Sequence, residues 1–144
     1  MKKLKWYRQE KPYSCIPACI RMILDYHDII ESESTLRFKC KSKISGTHPL
    51  NAVACCKSYG LDCYIDNLDL THLKNLLNDD ILPIVNVLKS EAANWYSHCV
   101  IISNIEHEQI AIVDPEDGFH KFPIIKFDEL WSFSNRLAII VKEK

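Results

Sequence analysis

The sequence predicts an α+β fold, with N-terminal helices packed on a mostly antiparallel sheet built from the second half of the chain. Up to about Asp80 the apolar residues recur at helical spacing. Beyond it they run or alternate in short segments, as strands do. No repeats, low-complexity tracts or linkers interrupt the 144 residues, which fit one domain spanning 1–144.

The first helix is predicted from Cys15 to about Ile29. Ser14 suits an N-cap and Pro17 falls in the first turn, where its missing N–H costs little. Ile16, Ile20, Ile23 and Leu24 form its apolar face, and Arg21 and Asp25 an exposed i, i+4 pair, which makes this a central buried helix. A short helix follows over Ser34–Cys40, capped by Ser32 or Ser34, and a third over Pro49–Tyr59, stopped by Gly60. Asp62–Ile65 alternates like a strand, and Leu70–Leu77 reads as a fourth helix. Strands are then expected at Leu82–Leu88, His98–Ser103, Gln109–Val113, His120–Phe122 and Leu137–Val141. Glu106–Glu108 suits a hairpin turn, and Phe127–Trp131 one or two helical turns.

Composition narrows the function. A net charge of −1 gives no footprint for nucleic acid or an anionic membrane. The longest apolar run, Cys15–Leu24, is broken by Arg21, too short to span a bilayer, and too far in for a secretory signal. A cytoplasmic protein is expected. The cysteine count, seven, is odd, Cys55 and Cys56 are adjacent, and no C-x-x-C pair occurs. The reading is reduced, mostly buried thiols, with neither a disulfide framework nor a metal or other cofactor.

One cysteine is placed for chemistry. Cys15 opens a helix, where the macrodipole and unpaired backbone N–H groups favour a thiolate, the nucleophilic form. Taken alone it reads as one more buried thiol, but Cys19 lies a turn inside the helix and the other five begin none. His98 opens an apolar strand, so its ring can emerge at a sheet edge facing a cleft. If His98–Ser103 and Gln109–Val113 pair as a hairpin, Asp114 lies at the same open end and can fix the imidazole tautomer. Asp114-Pro115 is also a plain turn signal. Gln9 precedes Cys15 in a segment that Pro12 keeps extended; its amide can donate to an oxyanion beside the N–H of Cys15, or sit at the surface.

Together these residues resemble the bacteriocin-processing, or double-glycine, peptidases, a branch of the papain-like cysteine proteases usually found as the N-terminal domain of peptide-exporting ABC transporters. Gln9, Cys15, Ala18 and Cys19 match the opening pattern, and Gly46-Thr47 and Gly60-Leu61 the middle one. His98-Cys-Val-Ile-Ile, Asp114-Pro115 and Phe127-Asp-Glu-Leu-Trp131 match the rest, in order, over nearly the whole chain. The resemblance implies a papain-like fold with Cys15 as nucleophile, His98 as general base and acid, Asp114 as its orienter and Gln9 in the oxyanion hole. It also implies a peptide or protein substrate such as a leader peptide, and a separate exporter as partner.

The chain departs from the family pattern in three places. Ile16 stands where a glycine usually follows the nucleophile, and Ser14 where an acidic residue precedes it. Lys89–Ser97, carrying Trp95 and Tyr96, is long and suits a cleft wall. No transmembrane or ATPase region follows, so a free-standing domain is expected. Two other functions use the same residues: a peptidase-like module that grips a peptide without cutting it, and an amidase or acyltransferase.

Overall fold

A computed structural model describes residues 2–144. Helices α1 (Cys15–Tyr26), α2 (Glu33–Lys39) and α3 (Pro49–Lys57) come first, then strand β1 (Asp62–Asn67) and helix α4 (Leu70–Asn78). Strands β2 (Ile84–Glu91), β3 (Asn94–Glu106), β4 (Gln109–Asp114) and β5 (Gly118–Pro123) follow, then helix α5 (Ile124–Ser132) and strand β6 (Leu137–Lys142). The strands form one sheet in the order β1-β6-β2-β3-β4-β5, and every pairing is antiparallel. The fold is α+β, as the change of period near Asp80 predicts.

Helix α1 is central. Ala18, Cys19, Ile20, Met22 and Leu24 are fully buried, each large apolar side chain adding roughly 1.5–3 kcal/mol of hydrophobic stabilisation. It stops at Tyr26, short of the expected Ile29, because Asp28 turns into the left-handed region (φ +64°) and Ile29 N–H returns to the Leu24 carbonyl at 2.8 Å. Ser14 does not cap it with its side chain. Its hydroxyl is buried and bonds Lys11 O and Glu33 Oε1 instead, holding the turn before Cys15. Arg21 and Asp25 do not pair with each other. The N-terminal segment lies over them, with Arg21 stacked 3.9 Å from the Tyr7 ring and Tyr7 OH donating to Asp25 at 2.6 Å.

The sheet differs from expectation most at its centre. β3 begins at Asn94, not His98, because the chain reverses at Ala92-Ala93 and both arms pair down to Glu91 and Asn94. Lys89–Ser97 is therefore a hairpin tip rather than a loop. A bulge at Ser103 then shifts the β3–β4 register: Asn104 pairs with Ala111, but Ile102 with Ile112 and Ile101 with Val113. One pair further on, Asp114 stands opposite Val100 and so shares a face with Val100 and His98. Without the bulge it would oppose Ile101 and face away.

The next residue also matters. The same register would set Cys99 opposite Pro115, which has no N–H to give, and β4 ends there. The free edge of β3 at Cys99 is taken by α1: the Cys19 thiol donates to the Cys99 carbonyl at 3.6 Å, and Cys15 shares a pocket with Cys99. Helix α5 covers the opposite face, where Phe127 and Leu130 line a cavity with Val87, Val100 and Ile112.

Candidate active site

The first turn of α1 is docked on the edge of β3, so Cys15 lies beside His98 and Cys99. All seven cysteines are free thiols; six are buried and Cys15 alone is partly exposed. Its sulfur accepts from the Cys99 thiol, then, against the cost of burial, from His98, and these hold it well below the ordinary thiol range. Cys99 is pushed correspondingly up, by that hydrogen bond and by burial. Cys55 and Cys63 are also lowered, by hydrogen bonds from Cys40 and Cys56, but they are buried and no imidazole adjoins them.

His98 is the fifth residue of β3, not its first, and is 2% exposed. It still has an open side, because β4 has ended and only Val87 of β2 pairs with it. Its Nε2 meets Asp114 Oδ1 at 2.8 Å, which leaves Nδ1 for the thiol. Burial lowers the ring's proton affinity, but hydrogen bonds to Asp114 and Cys15 outweigh it and raise the pKa to about 9. Burial raises Asp114, yet bonds from His98 and Lys89 more than offset it and keep the carboxylate well below its usual range. Cys15, His98 and Asp114 thus come together, and their surroundings favour a thiolate, an imidazolium and a carboxylate.

Gln9 is nearby but turned. Its backbone N–H donates to Pro115 O at 2.8 Å and its Nε2 to Lys11 O at 2.8 Å, while Oε1 is buried without a partner. It lines a cavity of 630 Å³ shared with Glu116 and Tyr96, not the pockets that hold Cys15. Of those, one of 170 Å³ has Ile16, Ile84, Leu137 and Ile139 for its apolar lining, with Gly46 at its rim. Ile16, in place of the expected glycine, is therefore part of a pocket wall. The other runs along Tyr13, Ile44, Gly46 and Tyr96. Tyr96 is a cleft wall, whereas Trp95 lines a cavity beneath α5.

Three residues outside the sequence expectation complete the site: Cys99, Glu116 and Lys89. Glu116 Oε1 lies 3.3 Å from His98 Nε2, and Lys89 Nζ reaches Asp114 Oδ2 at 2.8 Å and Glu116 Oε1 at 3.1 Å. His98, Asp114 and Glu116 are the one group of three potential metal-ligating residues among the described residues. The Lys89 ammonium already occupies two of its carboxylates, so the donor set does not suit a cation.

A partly exposed cysteine at a helix N-terminus, set beside a buried histidine–aspartate pair on an antiparallel sheet, is the arrangement of a papain-like cysteine peptidase. The sequence profile of the Peptidase C39 family matches residues 3–144, and the chain belongs to that family, a cysteine peptidase and so a hydrolase. No curated protein matches it. Among solved structures it is similar to the peptidase domain of Streptococcus ComA, described as a bifunctional ABC transporter involved in quorum sensing. That likeness has a TM-score of 0.84 at 22% identity, over 99% of this chain and 100% of that one. A double-glycine-motif protease from an AMS/PCAT transporter, solved with its leader peptide, matches at TM-score 0.81 and 21% identity, over 99% and 93%. A C39-like peptidase from Bacillus anthracis matches at 0.79 and 14%, over 98% and 95%. These likenesses are of fold. Among the described residues no helix is long and apolar enough to cross a membrane.

Proposed function

We propose that the chain, acting as one domain, hydrolyses peptide bonds through Cys15, His98 and Asp114, and that its substrates are leader peptides cut after a double glycine. The observation that carries this is the position of Cys15: the one partly exposed thiol among the described residues, in one pocket with an imidazole whose Nε2 is held by Asp114. The thiolate attacks the scissile carbonyl carbon. The resulting oxyanion is met by the Cys15 N–H and, once its side chain turns from Lys11 O toward the thiol, by the Gln9 amide. His98 protonates the leaving amine, then takes a proton from the water that cleaves the thioester.

The leader-peptide assignment rests on the family and on the shape of the cleft. Ser45 and Gly46 border the thiol on one side, and Gly46 holds a φ of +110° that disfavours any side chain there. An extended peptide with small residues before the cut suits that wall. An exporter would be the partner, and a reducing cytoplasm suits the seven free thiols.

Iodoacetamide below pH 7 is expected to label Cys15 far faster than Cys55 or Cys63, read by peptide mass spectrometry. A leader peptide ending in Gly-Gly is expected to be cut, and Cys15→Ala to abolish cleavage. Equal labelling of the three thiols would sink the activated-nucleophile reading. Binding without cleavage of any peptide in a diverse library would point to a non-catalytic module. Products carrying added amines in place of water would point to acyl transfer.

A further inference from the structure

Two carboxylates compete for one ring nitrogen. Asp114 Oδ1 is 2.8 Å from His98 Nε2 and Glu116 Oε1 is 3.3 Å from it. A ring N–H can point well at only one of them, and the imidazole plane follows the choice. Between them lies Lys89, on β2 and 22% exposed, with its ammonium bonded to Asp114 Oδ2, Glu116 Oε1 and Asp117 Oδ2 at 2.8, 3.1 and 2.6 Å. Tyr96 OH also donates to Glu116 Oε1, at 2.8 Å, and the Glu116 N–H to Asp114 Oδ1, at 2.7 Å.

Resting on the Cys15–His98–Asp114 reading above, we infer that Lys89 is a positioning residue for the reaction. It fixes the far oxygen of Asp114 and draws Glu116 off the ring, so that His98 is oriented by Asp114 alone. The arrangement is self-consistent in charge: burial opposes the ammonium, but its carboxylate partners hold Lys89 well above the ordinary lysine range. Other groups bordering the cluster are His120 and Lys126 on the α5 side, and Arg8, Glu10, Lys11 and Glu91 on the N-terminal side. None of these side chains is bonded to His98 or Asp114.

Remove the ammonium and two carboxylates, Asp114 and Glu116, compete unrestrained for one imidazolium. The ring hydrogen bond divides between Asp114 and Glu116, and Nδ1 swings off the thiol. The local potential becomes more negative, so the thiolate is less favoured and Cys15 ionises at higher pH.

The test compares Lys89→Met, Lys89→Arg and the double variant Lys89→Met/Glu116→Gln in the full chain, each checked for cooperative thermal unfolding. The probes are the pH profile of Cys15 alkylation by iodoacetamide and cleavage of a Gly-Gly leader peptide. Lys89→Met is expected to move the alkylation midpoint up by about half a unit or more, and to lower kcat about tenfold with little change in KM. Lys89→Arg should restore the midpoint, and removing Glu116 in the double variant should recover most of the lost kcat. A Lys89→Met protein with wild-type midpoint and kcat would overturn the inference. So would a double variant no better than Lys89→Met, since that would make the lysine a packing element only. If wild-type Cys15 itself shows no thiolate below pH 7, the triad reading fails instead, whatever the Lys89 variants do.

Discussion

Cys15 and His98 exchange a proton in a way that sets how stability responds to pH. His98 holds its proton more tightly folded than unfolded, so alone it makes stability fall as pH rises from about 6.5, its unfolded value, through about 9. Cys15 does the reverse: its thiol ionises more readily folded, so alone it makes stability rise with pH up to its unfolded value of about 9. Between those limits the folded pair keeps one proton, on the ring, and the unfolded chain keeps one, on the thiol. The slopes cancel. Cys15→Ala leaves His98 with the carboxylate of Asp114 and no compensating thiol. Relative to wild type, its urea midpoint is therefore expected to fall as pH is raised above 6.5, at a slope of up to about 1.4 kcal/mol per pH unit. Parallel curves for the two proteins would show either that no thiolate–imidazolium pair forms or that Asp114 alone does not outweigh the burial of His98. Below about pH 4 both proteins should lose the contribution of Asp114, which is present above its unfolded value and lost as pH falls through the lower folded one. The three residues of this cluster were legible in the sequence, because a helix start, an apolar strand and an Asp-Pro are local signals. Lys89, Glu116 and Cys99 were not. A lysine in a strand reads as solvated, and nothing local tells that a turn after β4 brings Glu116 and Asp117 to it.

At the level of elements, the helices were legible within a few residues, since their apolar spacing, the Ser32 cap and the turn that closes at Gly60 are encoded within one or two turns. The β2–β3 hairpin was not. Two-residue hairpin turns are signalled by Asn-Gly or Asp-Gly, because both central residues need positive φ. Here they are Ala92 (φ +48°) and Ala93 (φ +67°), so the tip carries no turn signal and the extra length of both strands stayed hidden. The β3–β4 turn, His107 (φ +51°) and Glu108 (φ +60°), repeats the pattern in a chain with three glycines. L-residues held left-handed cost roughly 1–2 kcal/mol each. Ala92→Asn/Ala93→Gly should relieve most of that and raise the Tm by about 3–6 °C, while iodoacetamide still labels Cys15 at the wild-type rate. An unchanged or lower Tm would mean that the turn is not strained as the dihedral angles imply.

Across the whole molecule, the thiol comes from the helical half and the imidazole and carboxylates from the sheet. Beyond the general packing of helices on the sheet, two ties at the site hold the halves in register. One is the docking of α1 on the free edge of β3 at Cys99. The other is the N-terminal segment, which lies outside both. Its Tyr7 bonds Asp25 and stacks on Arg21 of α1, while Trp6 Nε1–H donates to Asp114 O at 2.9 Å and the Gln9 N–H to Pro115 O. Trp6 also lies against Gly118, where an added Cβ would come within 3.9 Å of its ring. Trp6, Tyr7 and Gln9 thus link the nucleophile's helix to the end of the strand that orients the histidine. Trp6→Ala should cost about 2–4 kcal/mol in urea unfolding, a partly buried aromatic and its hydrogen bond together. Trp6→Phe keeps most of the packing and should cost about 1 kcal/mol. The discriminating measurement is made without urea, well below either Tm, where both variants are fully folded. If the segment also aligns the two halves, Cys15 alkylation at pH 6 falls several-fold in Trp6→Ala and stays near wild type in Trp6→Phe. Equal alkylation in all three proteins would confine the segment to stability, leaving the Cys99 edge as the only tie that sets the geometry of the site.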